Sequence, residues 1–377
     1  MGPALVLPRL VFGDGALAHL ADELALLGLK RPLLISDRGL QAAGIVANVR
    51  ACASAIAAEF LDVPENPTAA GADSGVQAYR DGACDGIVAL GGGSVLDTAK
   101  MVAALACMTG GAAALIGKPE RIARVVPLIA IPTTIGTGSE SSPVAALHIL
   151  PGGPGIGTRS PMLVPRTALC DPALARSLPR RLIAATGIDA LSHCIEGFFA
   201  EPANPVIDAL ALDGAARVIA DIHAALEPSG DAARASLMAA AFAGGAAIHK
   251  GLGPAHAVAL ACGDQDVHHG TLIGIALPHT TRLLARALPA KANRLAKAIG
   301  LSHGADIADA LTALIASLDL PTRLDSIGYR RVDTDATLAA MEASPFNRTS
   351  PYAPTTAEYR AIAIAIGLGL SARGMRA

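Results

Sequence analysis

The sequence contains little that would mark a nucleic-acid-binding protein. Its 377 residues include no Trp, and aromatic residues make up 3% of the chain, so it lacks the stacking platforms on which unpaired bases lie. The 30 Lys and Arg residues are balanced by 32 Asp and Glu residues, which leaves a formal net charge of -2. Without a polycationic surface, neither a nucleic acid nor an anionic membrane is expected as a partner.

Cysteine motifs and long apolar runs are also missing. The six cysteines are scattered without CxxC spacing, which argues against a disulfide framework and against a thiolate metal site. The uncharged stretches stop short of the roughly 20 apolar residues that a membrane-spanning helix needs. The first residues show no signal-peptide pattern. We therefore expect a cytoplasmic protein with reduced cysteines.

The hydrophobic pattern changes near the middle of the chain. Up to about Leu178, short apolar runs alternate with Ala-rich helical stretches, and the predicted strands include Pro32–Ile35, Gly86–Leu90 and Val125–Ile131. Such alternation is typical of a largely parallel α/β sheet. After Pro179 the strand signal ends. The predicted helices that follow are Leu182–Phe199, Pro205–Leu226, Ala232–Ile248, Leu272–Ala287 and Ala305–Leu318.

A chain of this length is expected to form two domains, because single cores rarely grow beyond about 250 to 300 residues. The change of pattern places the junction at Ser177-Leu178-Pro179, where the proline would stop a preceding helix. The sequence thus predicts an α/β domain over residues 1–178 and an all-helical domain over residues 179–377.

Two glycine-rich loops follow predicted strands in the first half. The strand ending at Leu90 leads into Gly91-Gly92-Gly93-Ser94 and then a helix, and a second loop, Pro132–Glu140, follows the next strand. Glycines let the backbone approach a pyrophosphate, and N–H groups at a helix N-terminus favour its negative charge. Two such loops at one sheet edge indicate a nucleotide site, although the spacing is not that of the GxGxxG fingerprint.

A third candidate for cofactor binding is Asp37, which ends the hydrophobic run Leu33–Ser36. A carboxylate at this place can accept a hydrogen bond from the adenosine ribose of NAD and repel the additional phosphate of NADP. Two alternatives stay open. In the first, Asp37 serves only as the cap of the next helix. In the second, Arg38 beside it pairs with the 2′-phosphate of NADP. NAD is therefore favoured, and NADP is the second choice.

The second half contains a carboxylate and imidazoles with the spacing of metal ligands. Asp189 and His193 lie four residues apart and share one face of a predicted helix, and His256 and His269 each lie near the start of a later helix. One carboxylate and three imidazoles complete a ligand set for a divalent cation, and this donor mixture suits Fe(II) or Zn(II). Each histidine alone has a plain structural explanation, but the set of four predicts a metal site.

Several motifs in a fixed order give a resemblance to a known family. They are Asn66-Pro67-Thr68, GGGSxxDxAK from Gly91 to Lys100, IPTTxGTGSE from Ile131 to Glu140, Asp171-Pro172, and TGxDAxxHxIE from Thr186 to Glu196. From Leu5 to about Arg282 the sequence resembles the iron-containing (group III) alcohol dehydrogenases. The resemblance implies a dehydroquinate synthase-like architecture, with an α/β dinucleotide-binding domain followed by an all-α domain that binds metal and substrate. It also implies a homodimer.

The resemblance also assigns residues to the site. Metal ligands are implied at Asp189, His193, His256 and His269. Cofactor contacts are implied at Asp37, Asn66, Gly92, Gly93, Ser94, Asp97, Thr133 and Thr134. His268 and His269 compete for the last ligand position, and His269 is preferred because Gly270 follows it, as in the family pattern.

One departure from the family pattern concerns proton transfer. The family usually has a second histidine four residues after its third metal ligand, whereas this chain has Leu260. We therefore expect protons to move through the ribose hydroxyl and water, with His268 as the catalytic candidate.

Together these features predict a metal-dependent, NAD(P)-linked oxidoreductase that interconverts an alcohol and an aldehyde or ketone. Three alternatives stay open. The first is a metal-independent reductase resembling maleylacetate reductases, although these commonly lack the acidic ligand that Asp189 would supply. The second is a cyclase or lyase resembling dehydroquinate synthase, which uses NAD and a metal. The third is a non-catalytic nucleotide-binding module.

Overall fold

The computed structural model describes residues 4–265, 267–330 and 333–368. The ends of the two predicted domains, residues 1–3 and 369–377, lie outside the described residues. The chain divides into two compact units, residues 5–178 and residues 179 onward. They are named here the N-terminal unit and the C-terminal unit.

The N-terminal unit has the predicted α/β architecture. Its strands are β1 (Arg9–Phe12), β2 (Pro32–Ile35), β3 (Ala58–Phe60), β4 (Gly86–Gly91), β5 (Leu128–Pro132), β6 (Val144–His148), β7 (Gly155–Arg159) and β8 (Thr167–Cys170). Its α-helices are α1 (Leu20–Leu26), α2 (Arg38–Ala42), α3 (Ile45–Cys52), α4 (Ala69–Asp81) and α5 (Gly93–Leu105). Six strands form a parallel sheet of order β1-β8-β5-β4-β2-β3, and β6 and β7 form a separate antiparallel pair.

The central strands of the sheet are buried on both faces. Every residue of β2, β4, β5 and β8 is buried, as expected for parallel strands that helices cover on both sides. Leu33 and Ile87 pack into one apolar core, while their chain neighbours Leu34 and Val88 pack into the other. Continuous apolar runs, without polar alternation, are therefore what this fold requires of the sequence.

Two details differ from the sequence prediction. Strand β5 begins at Leu128 and not at Val125, because the N–H of Val126 donates to the carbonyl of Ala103 near the end of α5 (3.0 Å) and not to a strand. The Gly/Pro-rich composition of residues 151–157 predicts a loop, but its last residues belong to β7, where Gly155 pairs with His148. Cross-strand pairing here overrides the low strand propensity of glycine.

The C-terminal unit is helical throughout its described residues, as predicted. Its α-helices are α6 (Arg180–Phe199), α7 (Pro205–Ala225), α8 (Asp231–Ala247), α9 (Pro254–Ala261), α10 (His269–Ala287), α11 (Pro289–Ala298), α12 (Ile307–Ser317), α13 (Thr334–Glu342) and α14 (Thr356–Ala365). A short 3-10 turn spans Pro345–Arg348.

Helix α6 forms the centre of this unit. Every residue from Ile183 to Phe199 is buried, because α7, α8 and α10 pack around it. By length and composition α6 could cross a membrane, but 94% of the relevant window is buried inside the unit, which is also true of core helices. Five of its buried side chains are polar, and such burial is costly unless each side chain finds a partner. They are Thr186, Asp189, Ser192, His193 and Glu196.

A buried lysine joins α5 to the β6–β7 pair in the N-terminal unit. The ammonium of Lys100 is fully buried and donates to the carbonyls of Ser142 (3.0 Å) and Val144 (2.7 Å). Burial lowers the pKa of Lys100 to about 8. Glu140 is buried nearby, and burial raises its pKa to about 7.

This shift predicts a pH-dependent effect of Glu140→Gln. An exposed glutamate has a pKa of 4.5, so between about pH 4.5 and pH 7 the unfolded chain releases a proton that the folded chain retains, and the carboxyl increasingly destabilises the fold as the pH rises. The neutral amide has no such dependence. We expect the difference in Tm between E140Q and the wild type to move in favour of E140Q from pH 5 to pH 7 in thermal unfolding. The exposed Glu120→Gln serves as control, and a difference that does not change with pH would contradict the shift.

Candidate active site

The strand order creates a ligand-binding edge in the N-terminal unit. From β2 the chain moves outward to β3 and then crosses back to β4 on the other side of β2. In open α/β sheets, ligands bind outside the carboxyl ends of the strands at such a reversal. Asp37 follows β2 and Gly92 follows β4, while Thr133 follows the next strand, β5. The predicted cofactor residues of three loops therefore lie along one sheet edge.

The glycines after β4 are required by the approach of the neighbouring loop. The N–H of Thr133 donates to the carbonyl of Gly91 (3.1 Å). A Cβ atom on Gly92 would lie 2.9 Å from Cγ2 of Thr134, and one on Gly93 would lie 2.7 Å from Cγ2 of Thr137. Helix α5 starts at Gly93, and no side chain caps its first turn. The first N–H groups of α5, at Gly93 and the following Ser94, are thus left for an anion.

Asp37 caps a helix in this structure. Its Oδ1 accepts a hydrogen bond from the N–H of Leu40 (2.9 Å) at the start of α2, which is the structural alternative considered for this residue. Arg38 is paired with Asp62 (2.8 Å) on the surface, so its guanidinium already has an anionic partner.

The two other predicted cofactor residues have different surroundings. Asn66 is exposed in the loop between β3 and α4. Asp97 uses both carboxylate oxygens within the protein, accepting from the hydroxyl of Ser139 (2.6 Å) and from the N–H of Ala146 (2.9 Å). Asp97 therefore fastens α5 to the loop after β5 and to β6, which positions the glycine-rich edge.

Three of the predicted metal ligands come together in the C-terminal unit. One donor atom each from Asp189, His256 and His269 lies within 4.8 Å of the other two. Nε2 of His269 is 3.7 Å from Oδ1 of Asp189, and the rings of His256 and His269 have centroids 5.5 Å apart. These residues belong to α9, α10 and the central helix α6, so three helices meet at this cluster.

His193 lies beside the three. Its Nε2 is 3.7 Å from the same Oδ1 of Asp189, and its ring stacks on that of His256 at a centroid distance of 5.0 Å. Its ring nitrogens are not part of the group of donor atoms that all lie within 4.8 Å of one another. The helical spacing of four residues thus places His193 at the site, as the sequence predicts, but at its margin.

The donor set fits a divalent cation. Oδ1 of Asp189 and Nε2 of His256 are buried without a hydrogen-bond partner among the described residues, and such atoms cost about 1–3 kcal/mol each unless a water or an ion satisfies them. Two bonds of about 2.1 Å to one ion separate their donor atoms by about 3.0–3.6 Å, close to the observed 3.7 Å.

A carboxylate that sequence reasoning did not assign supports the cluster. Oε2 of Glu196 is 2.5 Å from Nδ1 of His256, and Oε1 accepts from the N–H of Ala255 (2.6 Å). A sequence signal for it exists, because Glu196 lies seven residues after Asp189 and three after His193, which places all three on one helical face.

His268 and Leu260 lie close to the cluster in the sequence. His268 precedes the first residue of α10, and its Nδ1 is buried without a hydrogen-bond partner among the described residues. Of the two adjacent histidines, His269 and not His268 joins Asp189 and His256. Leu260 follows His256 by one turn of α9 and carries no titratable group.

Two family models match nearly the whole chain. The model for iron-containing alcohol dehydrogenase matches residues 8–172, and the model for the C-terminal domain of the Fe-containing alcohol dehydrogenase family matches residues 183–363. The chain therefore belongs to the iron-containing alcohol dehydrogenase family.

Individual relatives agree with this assignment. The chain is 38% identical over 362 residues to 4-hydroxybutyrate dehydrogenase of Cupriavidus necator, with 92% of this chain and 94% of the relative covered. It is similar to the crystal structure of a 1,3-propanediol oxidoreductase, with a TM-score of 0.90, 28% identity and coverage of 96% and 99%. It is also similar to sulfoacetaldehyde reductase from Bifidobacterium kashiwanohense in complex with NAD+, with a TM-score of 0.88, 25% identity and coverage of 98% and 100%.

Family membership confirms the predicted reaction class. The protein is an oxidoreductase that interconverts alcohols and aldehydes or ketones. The alternatives of a cyclase and of a non-catalytic nucleotide-binding module are thereby set aside.

The close approach of the two loops predicts that Gly93→Ala is harmful. The new Cβ would lie 2.7 Å from Cγ2 of Thr137, and relieving such overpacking costs about 1–3 kcal/mol. We expect a lower Tm and a weaker Kd for NADH, measured by thermal unfolding and by fluorescence titration.

Two further variants make this test specific. Thr137→Ser removes the clashing methyl group, so G93A/T137S should recover part of both losses. Gly157→Ala is the control, because its Cβ would lie at an ordinary 3.5 Å from Val144. If G93A matched the wild type in Tm and Kd, the loops would not be as closely packed as described.

Proposed function

We propose that this protein is an NAD-linked, iron-dependent dehydrogenase whose substrate is a short hydroxy acid, oxidised at its alcohol end to the aldehyde. The convergence of Asp189, His256 and His269 carries the proposal, because it surrounds a buried carboxylate oxygen that has no hydrogen-bond partner in the described ranges. The substrate class rests on the 4-hydroxybutyrate dehydrogenase to which the chain is 38% identical along almost its full length. Zn(II) is the second candidate ion, because mixed carboxylate and imidazole ligation suits it as well.

NAD is the proposed cofactor. The NAD+ complex of the similar sulfoacetaldehyde reductase supports this choice. So does Asp37, whose negative charge at the end of β2 disfavours a 2′-phosphate. The pairing of Arg38 with Asp62 removes one candidate partner for that phosphate. NADP is therefore proposed only as a slower cofactor.

The proposed mechanism assigns a task to each group of residues. When bound, the divalent cation acidifies the alcohol and polarises the carbonyl, and the nicotinamide exchanges hydride with the reacting carbon. Asp189, His193, His256 and His269 would hold the ion. The N–H groups at the start of α5 would hold the pyrophosphate. His268 would exchange the proton with solvent, because Leu260 cannot carry one.

We also propose a cytoplasmic homodimer without a nucleic-acid or membrane partner. None of the six cysteines, all of which are described, forms a disulfide bond, and this suits a reducing compartment. Strand β1 lies at the edge of the sheet and exposes Leu10 (44%) and Phe12 (40%). An open sheet edge with exposed apolar side chains is a surface that a second copy can cover.

A steady-state assay tests the proposed function. Purified protein, stripped with chelator and reloaded with Fe(II) or Zn(II), is given 4-oxobutanoate or butanal with NADH or NADPH. We expect kcat/KM to be at least about tenfold higher for the acid than for butanal, because a site that reads a charged group discriminates by more than 1.4 kcal/mol. Fe(II) and NADH should give the highest rate.

The same assay distinguishes the proposed iron-dependent enzyme from a metal-independent reductase. Full activity after chelation, with no metal in the protein by elemental analysis, would support a metal-independent reductase and contradict the iron proposal. Equal rates with the acid and with butanal would contradict the proposed substrate class while leaving the metal unaffected.

The proposed role of His268 predicts a change in pH dependence. General acid–base groups typically contribute about 10²–10⁴-fold, and a group that only relays the proton to solvent contributes less. We expect His268→Ala to lower kcat by about tenfold and to change the shape of the pH–rate profile. The exposed His303→Ala is the control. A profile for H268A that superimposes on that of the wild type would exclude His268 as the relay.

A further inference from the structure

Glu196 is more deeply buried than Asp189 or any of the three histidines around it. Only 1% of its side chain is exposed, and both of its oxygens are used. Oε1 accepts from the N–H of Ala255 at 2.6 Å, and Oε2 lies 2.5 Å from Nδ1 of His256. One carboxylate thus joins the central helix α6 to the first turn of α9.

This contact determines which nitrogen of His256 carries the hydrogen. A carboxylate oxygen accepts a hydrogen bond from a ring N–H, and in that arrangement Nδ1 is the donor and Nε2 carries the lone pair. Nε2 is the buried ring nitrogen without a hydrogen-bond partner among the described residues. The free lone pair is therefore at the nitrogen available to the metal cluster.

We propose that Glu196 is a positioning residue for the metal site, which holds His256 in the Nδ1–H tautomer and directs Nε2 toward Asp189 and His269. The proposal rests on the proposed function in one respect, that these residues bind a divalent ion. A carboxylate that accepts from a metal-binding imidazole also raises the basicity of the ligating nitrogen.

The surroundings leave His256 little freedom. Its ring is stacked on His193 at 5.0 Å, and Phe346 contacts it edge-on at 5.6 Å between centroids. A Cβ atom on Gly253 would lie 2.9 Å from Oε1 of Glu196, so the backbone before α9 approaches the carboxylate as closely as glycine permits. Two rings thus contact the imidazole, and Glu196 contacts its Nδ1.

The alternative to this role is a purely structural one. A carboxylate at the N-terminus of α9 satisfies one of the free N–H groups and interacts favourably with the helix dipole. That role would affect folding, whether or not an ion is bound. The positioning role predicts a loss of metal affinity that exceeds any loss of stability.

Glu196→Gln separates the two roles. Glutamine has a single acceptor oxygen, which can serve either Ala255 or His256 but not both. If the oxygen stays with Ala255, the amide N–H₂ faces Nδ1 of His256 and favours the Nε2–H tautomer, which cannot bind a metal. We expect the Kd for Fe(II) or Co(II), measured by chelator competition, to weaken about 10–100-fold, while the metal-free Tm changes little.

A matched control removes another buried carboxylate of the same unit. Asp208 is 2.5 Å from the ammonium of Lys250, and both side chains are buried. Asp208→Asn should lower the metal-free Tm without changing the Kd for the metal. Wild-type affinity in E196Q with an unchanged metal-free Tm would overturn the proposal, as would equal losses of affinity in E196Q and D208N.

A measurement on the wild type covers the case in which E196Q does not fold. In metal-free protein labelled with ¹⁵N at histidine, the ring signals that disappear in His256→Ala identify His256. We expect their shifts to report hydrogen on Nδ1, and hydrogen on Nε2 would overturn the proposal. If the wild type bound no metal while showing the expected tautomer, the proposed function would fail and the positioning contact would stand.

Discussion

Oδ1 of Asp189 is buried in the middle of α6, and the described part of the chain offers it no hydrogen-bond donor. Imidazole nitrogens of His193 and His269 lie 3.7 Å from it. Two neighbouring helices of the C-terminal unit lower the cost of burying this oxygen. His256 lies in the first turn of α9, and His269 is the first residue of α10. Two helices thus begin at the carboxylate, and the positive ends of their dipoles offset part of its desolvation cost.

In the N-terminal unit, the same few residues meet two requirements, close packing of two loops and an open helix N-terminus. Its glycines after β4 lie where a neighbouring loop approaches within contact of them, and the first N–H groups of α5 stay uncapped. Close packing and anion binding therefore place the same demand on Gly92 and Gly93. Asp97 and Lys100, one turn apart on α5, hold strand β6 by hydrogen bonds to its backbone groups.

Periodicity and strand–loop order were sufficient to predict the two fold classes and the face shared by Asp189 and His193. The choice between His268 and His269 came from the family resemblance, because both histidines stand at the start of α10 and local spacing does not separate them. The spacing of the sequence places Glu196 on the same helical face as Asp189, but it does not predict that Glu196 contacts His256. Its partner lies 60 residues away, and only tertiary packing brings the two side chains together.

The four side chains of the cluster differ in their exposure to solvent. The side chain of His269 is 53% exposed, whereas those of Asp189, His193 and His256 are no more than 7% exposed. An ion held by these four side chains would therefore meet water first at His269, because the other three donors are enclosed. Such an ion would enter and leave from the side of His269, and its exchange would not require the helices to unfold.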